Sequence, residues 1–131
     1  MENAFFPGGV PEAFQGLIEP FYQIEGALAF VATVDGKLVA CGTGLIIPEH
    51  KMFALCGAGT LAEFRGRGLQ TALLRARMAA ALKAGSEYAV VVTQGGTTSQ
   101  RNAERLGFRV AYSKVTVIKA CSEPSEEIKR C

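Results

Sequence analysis

The stretch Glu63–Leu74 constrains the fold of this 131-residue chain more than any other part of the sequence. A turn of alternating arginine and glycine, residues 65–68, lies between an apolar segment over residues 52–60 and a segment with helical periodicity that ends near Lys83. In this last segment, apolar or small side chains recur at a spacing close to 3.6 residues. The sequence therefore predicts a strand, a tight turn and a helix in succession.

This turn has the properties of an anion-binding site. The first backbone N–H groups of a helix have no intrahelical acceptor, and the helix dipole favours negative charge beside them. Gly66 and Gly68 permit positive φ and close approach of a ligand, while Arg65 and Arg67 supply guanidinium groups that suit phosphate oxygens. The turn matches neither the nucleoside-triphosphate loop nor a complete G-x-G-x-x-G. We predict a phosphate-binding turn, with an ordinary solvated turn as the alternative.

Two motifs of the chain carry a resemblance to a known family. The pattern Arg65-x-x-Gly68-x-Gln70 resembles the acyl-CoA pyrophosphate loop of the GNAT superfamily of N-acetyltransferases, in which the position of Gln70 is usually Gly or Ala. Residues 99–108, which end in Leu-Gly-Phe, resemble the short helix of that superfamily that leads into a strand. The resemblance covers roughly residues 27–120.

The predicted elements follow the order of the GNAT fold. The fold class is α/β (α+β), with a mixed, mostly antiparallel sheet, one parallel βαβ crossover and helices on both faces. The predicted elements are a helix over 11–25 that Pro20 kinks or splits, antiparallel strands 27–34, 37–47 and 52–60, the helix after the turn, a strand over 88–93, a short helix capped by Thr98 or Ser99 and ended by Gly107, and a final strand or hairpin over 108–112 and 115–120. Asp35-Gly36 predicts a hairpin turn between the first two strands. Gly57 and Gly59 indicate a bulge or close approach of a ligand in the third strand, with ordinary packing as the alternative.

The domain organisation is predicted to be simple. Residues 1–120 form one acyl-CoA-binding domain and residues 121–131 form a polar tail. The superfamily usually opens with a strand and a helix that would precede residue 11, and about ten residues are present there. The resemblance therefore leaves three alternatives: a trimmed chain, the C-terminal half of a longer protein, or a partner chain that supplies the cover.

The resemblance implies transfer of an acetyl group from acetyl-CoA to a small-molecule or peptide amine. It implies that the thioester carbonyl lies near Ala58, Gly59 and Thr60, where one strand separates from the next. Ser99 and Asn102 are candidates for further cofactor contacts, with helix capping or exposure to solvent as the alternative for Asn102. The resemblance places the pyrophosphate beside Arg65, on the backbone N–H groups of Gly66, Arg67, Gly68, Leu69, Gln70 and Thr71.

The residues that would handle protons are less well defined. Many relatives use a tyrosine as the acid at the position occupied here by Ala103. Tyr112 is the remaining candidate acid, and Glu63 and His50 are candidate bases, with a water-mediated base or none as the alternative. An acyl-CoA-binding module with little or no transferase activity is therefore the second functional hypothesis.

Composition excludes several other classes. The net charge of +2 does not favour a nucleic-acid partner, and no apolar run approaches the ~20 residues of a membrane span. Four cysteines without a C-x-x-C pair and a single histidine predict no metal site and a reduced, cytoplasmic protein without a secretion signal. Because the strand 27–34 would be left as an open edge, we also predict a homodimer formed through the N-terminal half.

Overall fold

A computed structural model describes residues 12–19 and 23–119 of the chain. Two single-turn 3₁₀ helices, Pro48–His50 and Ala62–Phe64, flank the third strand. The helices and strands in chain order are α1 (Glu12–Ile18), β1 (Ala27–Val34), β2 (Lys37–Ile47), β3 (Met52–Thr60), α2 (Leu69–Lys83), β4 (Tyr88–Val91) and α3 (Thr98–Arg105).

The four strands form one mixed sheet in the order β1-β2-β3-β4. The first three are antiparallel neighbours, and β4 lies parallel to β3 after the crossover through α2. The β1–β2 turn consists of Asp35 with φ 49° and Gly36 with φ 76°, two positive values that match the right-handed twist of a hairpin. The predicted mixed sheet, its hairpin and its parallel crossover are all confirmed.

The sheet has a separate apolar cluster on each face. Side chains alternate between the faces of a strand, so Cys41 and Gly42 on β2 point in opposite directions. Cys41 packs with Phe14 of α1, whereas Phe53 and Leu55 of β3 pack with Leu74 and Ala81 of α2. The two helices therefore cover opposite faces of the sheet.

A bulge in β3 separates the two halves of that strand. Gly42 of β2 faces Ala58, and Gly44 faces Leu55, so one residue of β2 lies opposite two residues of β3. Parallel pairing with β4 ends at the same point, at Leu55 and Val91, although β3 continues to Thr60. Bulges bend a strand and interrupt its ladder. The second half of β3 thus has β2 on one side and no strand on the other within the described residues.

A buried arginine of α2 connects the helix to this bulge. Arg77 is 2% exposed, and its Nη1 donates to the carbonyl oxygens of Thr43 at 3.2 Å and Cys56 at 3.3 Å. Its Nε donates to the Leu73 carbonyl at 3.2 Å. No carboxylate pairs with this guanidinium among the described residues. Backbone carbonyls, rather than an opposite charge, are therefore its partners.

The lack of a side chain at Gly42 leaves the space that the Arg77 guanidinium occupies. A Cβ atom at Gly42 would lie 3.1 Å from Cζ of Arg77, which is tighter than ordinary contact. Burial raises the pKa of both the Cys41 and the Cys56 thiol. A backbone hydrogen bond with Gly59 opposes this rise at Cys41, and the Arg77 charge opposes it at both thiols. Burial likewise lowers the pKa of the Arg77 guanidinium, because it disfavours the charged form. Both thiols are therefore protonated at neutral pH.

Several predicted boundaries were wrong. The helix predicted over 11–25 ends at Ile18 and is followed by turns at residues 23–26, while the predicted Pro20 kink and the tail 121–131 lie outside the described residues. The strand predicted over 88–93 ends at Val91. The cap of α3 is Thr97, whose hydroxyl accepts from the Gln100 N–H at 3.4 Å.

The predicted final strands are also not formed. Residues 109–119 have no helix or strand and every one of them is exposed. Their β-branched and aromatic residues favour a strand, but a strand needs a hydrogen-bonded neighbour, and none lies beside this segment in the described part of the chain. Residue 120 of the predicted strand lies outside that part.

Replacing Gly44 by alanine is expected to destabilise the fold. A Cβ atom at this buried position would overlap the ring of Phe53, which is itself 0% exposed. Overpacking of this kind costs about 1–3 kcal/mol. Denaturant titration should show this loss for Gly44→Ala. The control is Gly95→Ala, where an added Cβ meets nothing within 4 Å; equal stability of the two variants would contradict the packing described.

Replacing Arg77 by methionine is expected to lower stability by about 2–4 kcal/mol. The change leaves the Thr43 and Cys56 carbonyls without their donor, and each unsatisfied buried group costs roughly 1–3 kcal/mol. Arg75→Met, at an exposed arginine of the same helix, is the matched control. If Arg77→Met unfolds no more easily than Arg75→Met, the hydrogen bonds do not offset the cost of burying the charge.

Candidate functional site

The turn before α2 presents free backbone donors to solvent. Gly66 has φ 72° and Gly68, the N-cap of α2, has φ 76°. No side chain caps this helix, and none of the six N–H groups of residues 66–71 donates to a described acceptor. A Cβ at either glycine would meet nothing within 4 Å, so the space in front of the turn is open. The predicted helix start and its positive-φ glycines are confirmed.

Cationic side chains surround this turn. Two cations lie close to the ring of Phe64: Nζ of Lys37 is 5.5 Å from the ring centroid, and Cζ of Arg67 is 4.9 Å from it. Arg65 donates from Nε to the Thr60 carbonyl at 3.3 Å, and Arg67 donates from Nη2 to the Glu63 carbonyl at 3.3 Å. The two arginines therefore brace the turn with these contacts, and they place positive charge beside its free N–H groups.

The second half of β3 forms one side of an opening in the sheet. Ala58, Gly59 and Thr60 pair with β2 on one edge, and β4 has already ended at Val91. Strands that separate in this way leave main-chain N–H and C=O groups of the free edge accessible. The residues predicted to contact the thioester therefore lie on this free edge, at the end of β3 that leads through Ala62–Phe64 into the turn.

Gln70 joins the first turn of α2 to α3. Its Oε1 accepts from Nδ2 of Asn102 at 2.7 Å, and its Nε2 donates to Oγ of Ser99 at 3.1 Å. Arg105 completes the cluster by donating from Nη1 to Oδ1 of Asn102 at 3.2 Å. The structure thus brings Gln70, Ser99 and Asn102 together, but their side chains bind one another.

Two of these roles were not predicted from the sequence. From the sequence, Gln70 is predicted to contact the cofactor only through its backbone N–H, and Arg77 is given no role. A signal for Arg77 does exist, because the buried side chains of α2 are Leu73, Leu74, Arg77 and Ala81, and an arginine on the apolar stripe of a helix requires buried partners.

The candidate acid and bases are not brought together. Tyr112 is 75% exposed in the segment without regular structure. Glu63 is exposed and lies 3.5 Å from Nζ of Lys37. A hydrogen bond from its own backbone N–H lowers the pKa of Glu63, with Lys37 contributing in the same direction. His50 lies just before β3, and thus roughly 25–30 Å along the strand from Thr60.

The described residues contain neither a candidate metal site nor a candidate membrane span. No group of three or more His, Cys, Asp or Glu side chains there could hold a metal ion. In the same part of the chain, no helix has both the length and the apolar character needed to cross a membrane.

Solved structures share this fold. The aminoglycoside N-acetyltransferase AAC(6')-Iy in complex with CoA aligns with a TM-score of 0.67 at 23% identity, over 84% of this chain and 92% of the other. The same enzyme with the bisubstrate analogue CoA-S-monomethyl-acetylneamine gives 0.66 at 23%, over 92% and 88%. The ribosomal-protein-alanine N-acetyltransferase of Brucella melitensis biovar Abortus 2308 gives 0.64 at 20%, over 77% of each chain. Identities this low show a common fold only.

Comparison of sequences identifies the family. No curated protein sequence gives a significant match. The profile described as the Acetyltransferase (GNAT) family matches residues 1–108, which is most of the 131-residue chain and includes the turn, the opening in the sheet and α3. The chain therefore belongs to the GNAT family of acetyltransferases.

Proposed function

We propose that this protein is an N-acetyltransferase that transfers the acetyl group of acetyl-CoA to an amine. The observation that carries the proposal is the row of six backbone N–H groups over residues 66–71, at the start of α2, that donate to no acceptor among the described residues. Such a row, with two glycines at positive φ and open space in front, fits a pyrophosphate. Membership of the GNAT family supports the choice of an acyl-CoA as the ligand.

The thioester arm of acetyl-CoA can lie along the free edge of β3, which is close to the turn in the chain. The chain connects the turn directly to the free edge of β3, so a molecule bound at residues 66–71 by its pyrophosphate can extend its thioester arm towards Ala58, Gly59 and Thr60. A main-chain N–H on that edge would donate to the thioester carbonyl and stabilise the negative charge that develops there. Gln70 would keep α3 beside the bound arm through Ser99 and Asn102.

The proposed reaction is a direct transfer. The neutral amine attacks the thioester carbonyl, a C–N bond replaces the C–S bond, and the proton lost by the amine ends on the CoA thiol. Glu63 is a poor base for the amine because its pKa is lowered. We therefore favour proton removal by water or binding of an amine that is already neutral, and we retain Tyr112 as the candidate acid.

For the acetyl acceptor we propose a chemical class and no individual compound. AAC(6')-Iy has been captured with a bisubstrate analogue that joins CoA to an acetylneamine, and the Brucella protein is named for the alanine of a ribosomal protein. These neighbours share the fold, and one name points to a small molecule and the other to a protein. We propose a small-molecule or peptide amine. A cytoplasmic location and a homodimer remain predictions.

Acetyl-CoA is expected to raise the melting temperature of the protein. A ligand that binds only the folded state stabilises it by about 2.7 kcal/mol at a concentration 100 times its Kd. Thermal melts with acetyl-CoA, with free CoA and with adenosine as a control lacking the pyrophosphate should show a shift for the first two. No shift at saturating acetyl-CoA would contradict the assignment of the turn.

Gly68→Val is expected to abolish binding of acetyl-CoA. The substitution places a β-branched side chain where the pyrophosphate must approach, at a φ of 76° that also strains it. Gly85→Val is the matched control, because Gly85 has φ 74° and equally open surroundings just beyond the other end of α2. Calorimetry should find binding in Gly85→Val and none in Gly68→Val; binding in both would show that the turn is not the site.

A thiol-release assay across a panel of amines tests the transfer itself. Release of CoA that depends on one class of amine is the expected result, and Gly68→Val should not support it. Tight binding of acetyl-CoA without release on any amine would instead support the second hypothesis, an acyl-CoA-binding module with little activity.

A further inference from the structure

The bulge in β3 is held by a buried side chain from each face of the sheet. On the α2 face, Nη1 of Arg77 donates to the Cys56 carbonyl at 3.3 Å. Thr43 lies on the opposite face, because side chains alternate along β2 and Gly42 is the residue that meets Arg77. From there Oγ1 of Thr43 donates to the Gly57 carbonyl at 3.3 Å. Two consecutive carbonyls of the bulge are therefore fixed by side chains.

Packing alone does not explain the hydroxyl of Thr43. Thr43 and Arg77 are the two buried polar or charged residues of the described part of the chain, and Thr43 is 0% exposed. Valine has nearly the same shape as threonine and also favours strands, so a hydroxyl is not needed to fill this space. A buried hydroxyl costs free energy unless it is hydrogen-bonded. The bond to the Gly57 carbonyl is therefore the specific contribution of this side chain.

The direction of the Gly57 carbonyl determines the direction of the next N–H group. None of the described peptide bonds is cis, so the Gly57 carbonyl and the Ala58 N–H point in opposite directions across one planar group. The carbonyl points towards Thr43 on β2. The Ala58 N–H consequently points away from β2, to the edge where pairing with β4 has ended at Val91.

The ladder between β2 and β3 gives the same direction. The N–H of Leu61 donates to the Val39 carbonyl at 2.9 Å, and in an antiparallel pair only alternate residues turn their backbone groups to the partner strand. Ala58 and Thr60 therefore turn theirs to the free edge. The Thr60 carbonyl agrees, since it accepts from Nε of Arg65 in the turn at 3.3 Å. Ala58 is exposed, so its N–H is a donor open to a ligand.

We propose that Thr43 and Arg77 are positioning residues for acetyl transfer, which hold the bulge so that the Ala58 N–H donates to the thioester carbonyl. This inference rests on the function proposed above. When the amine forms the C–N bond, the π electron pair of the carbonyl moves to oxygen. It returns when the C–S bond breaks, and the thiol takes the proton that the amine loses. An N–H already aimed at that oxygen stabilises its charge without reorganisation.

The two positioning residues have different parts in this arrangement. Thr43 sets the direction of the donor, because it binds the carbonyl of the same peptide group. Arg77 binds the carbonyl of the preceding peptide group and thereby restrains the other side of Gly57. A charged donor also polarises the peptide group that it binds, and hydrogen-bonded groups in series strengthen one another.

Infrared difference spectra of bound acetyl-CoA, isotope-labelled at the acetyl carbonyl, test the proposal. A hydrogen bond weakens the C=O bond, so Thr43→Val is expected to shift the carbonyl band to higher frequency. Thr43→Ser keeps the hydroxyl and should retain the wild-type band. Thr33→Val, the same change at an exposed threonine of β1, is the matched control and should also retain it. Affinity for free CoA, which lacks the carbonyl, should be unchanged in all three variants.

Turnover and a backbone variant give independent measurements. With an amine that the wild type accepts, Thr43→Val should lower kcat by about tenfold at unchanged KM for acetyl-CoA, less than the ~10²–10³ lost when an oxyanion donor itself is removed. Ala58→Pro removes the proposed N–H at an edge position that tolerates proline, and it should shift the carbonyl band as Thr43→Val does. An unshifted band in Ala58→Pro would overturn the proposal whether or not Thr43→Val folds.

Failure of this proposal is distinguishable from failure of the proposed function. If the wild type does not bind acetyl-CoA, the proposed function is wrong and the inference falls with it. If the wild type binds and folded Thr43→Val retains both the band and kcat, Thr43 is structural only. A band in Thr43→Ser that matches Thr43→Val would also overturn the proposal, because packing rather than the hydroxyl would then set the donor.

Discussion

The buried guanidinium of Arg77 is the interaction on which the rest of the structure depends. It connects α2 to the carbonyls of Thr43 and Cys56, one on each strand at the bulge, and no carboxylate of the described residues pairs with it. A buried charge of this kind is costly unless its hydrogen bonds are made. The bulge, the close approach of Gly42 and the position of α2 are therefore required together.

This arrangement couples the two parts of the candidate site. The bulge begins where β3 loses β4, and the same helix that Arg77 holds against the bulge starts, two turns earlier, at the arginine-glycine turn. A shift of α2 along the sheet would move the free N–H groups of residues 66–71 relative to the free edge at Ala58–Thr60. Rigid packing between them would allow the proposed acyl-CoA ligand to be bound at both places at once.

The third part of the site is held by a different interaction. Gln70 projects from the first turn of α2 and binds both Ser99 and Asn102, so α3 is attached to the turn by side chains. In the loop pattern of the family this position is usually Gly or Ala, neither of which could form such a connection. The family position and the tertiary contact together explain why a glutamine is accommodated here.

The sequence by itself determined the elements with strong local signals. The hairpin at Asp35-Gly36, the helix after Gly68 and the end of α3 before Gly107 all depend on backbone conformations that few residues adopt, and each is present where it was predicted. The glycines at 57 and 59 indicated a bulge or a close approach, and a bulge is found at residues 56 and 57. The free N–H groups of the turn likewise follow from the start of a helix without a side-chain cap.

Only the tertiary structure decided which segments with strand composition become strands. Residues 109–119 resemble β1 in composition, yet β1 has β2 beside it, whereas residues 109–119 have no neighbouring strand within the described part of the chain. A strand is stabilised by hydrogen bonds to another segment, so its formation cannot be read from the segment alone. The same reason applies to Arg77 and Gln70. The Thr43 and Cys56 carbonyls lie 34 and 21 residues from Arg77, and Ser99 and Asn102 lie 29 and 32 residues from Gln70. Only folding brings these distant partners within hydrogen-bond distance.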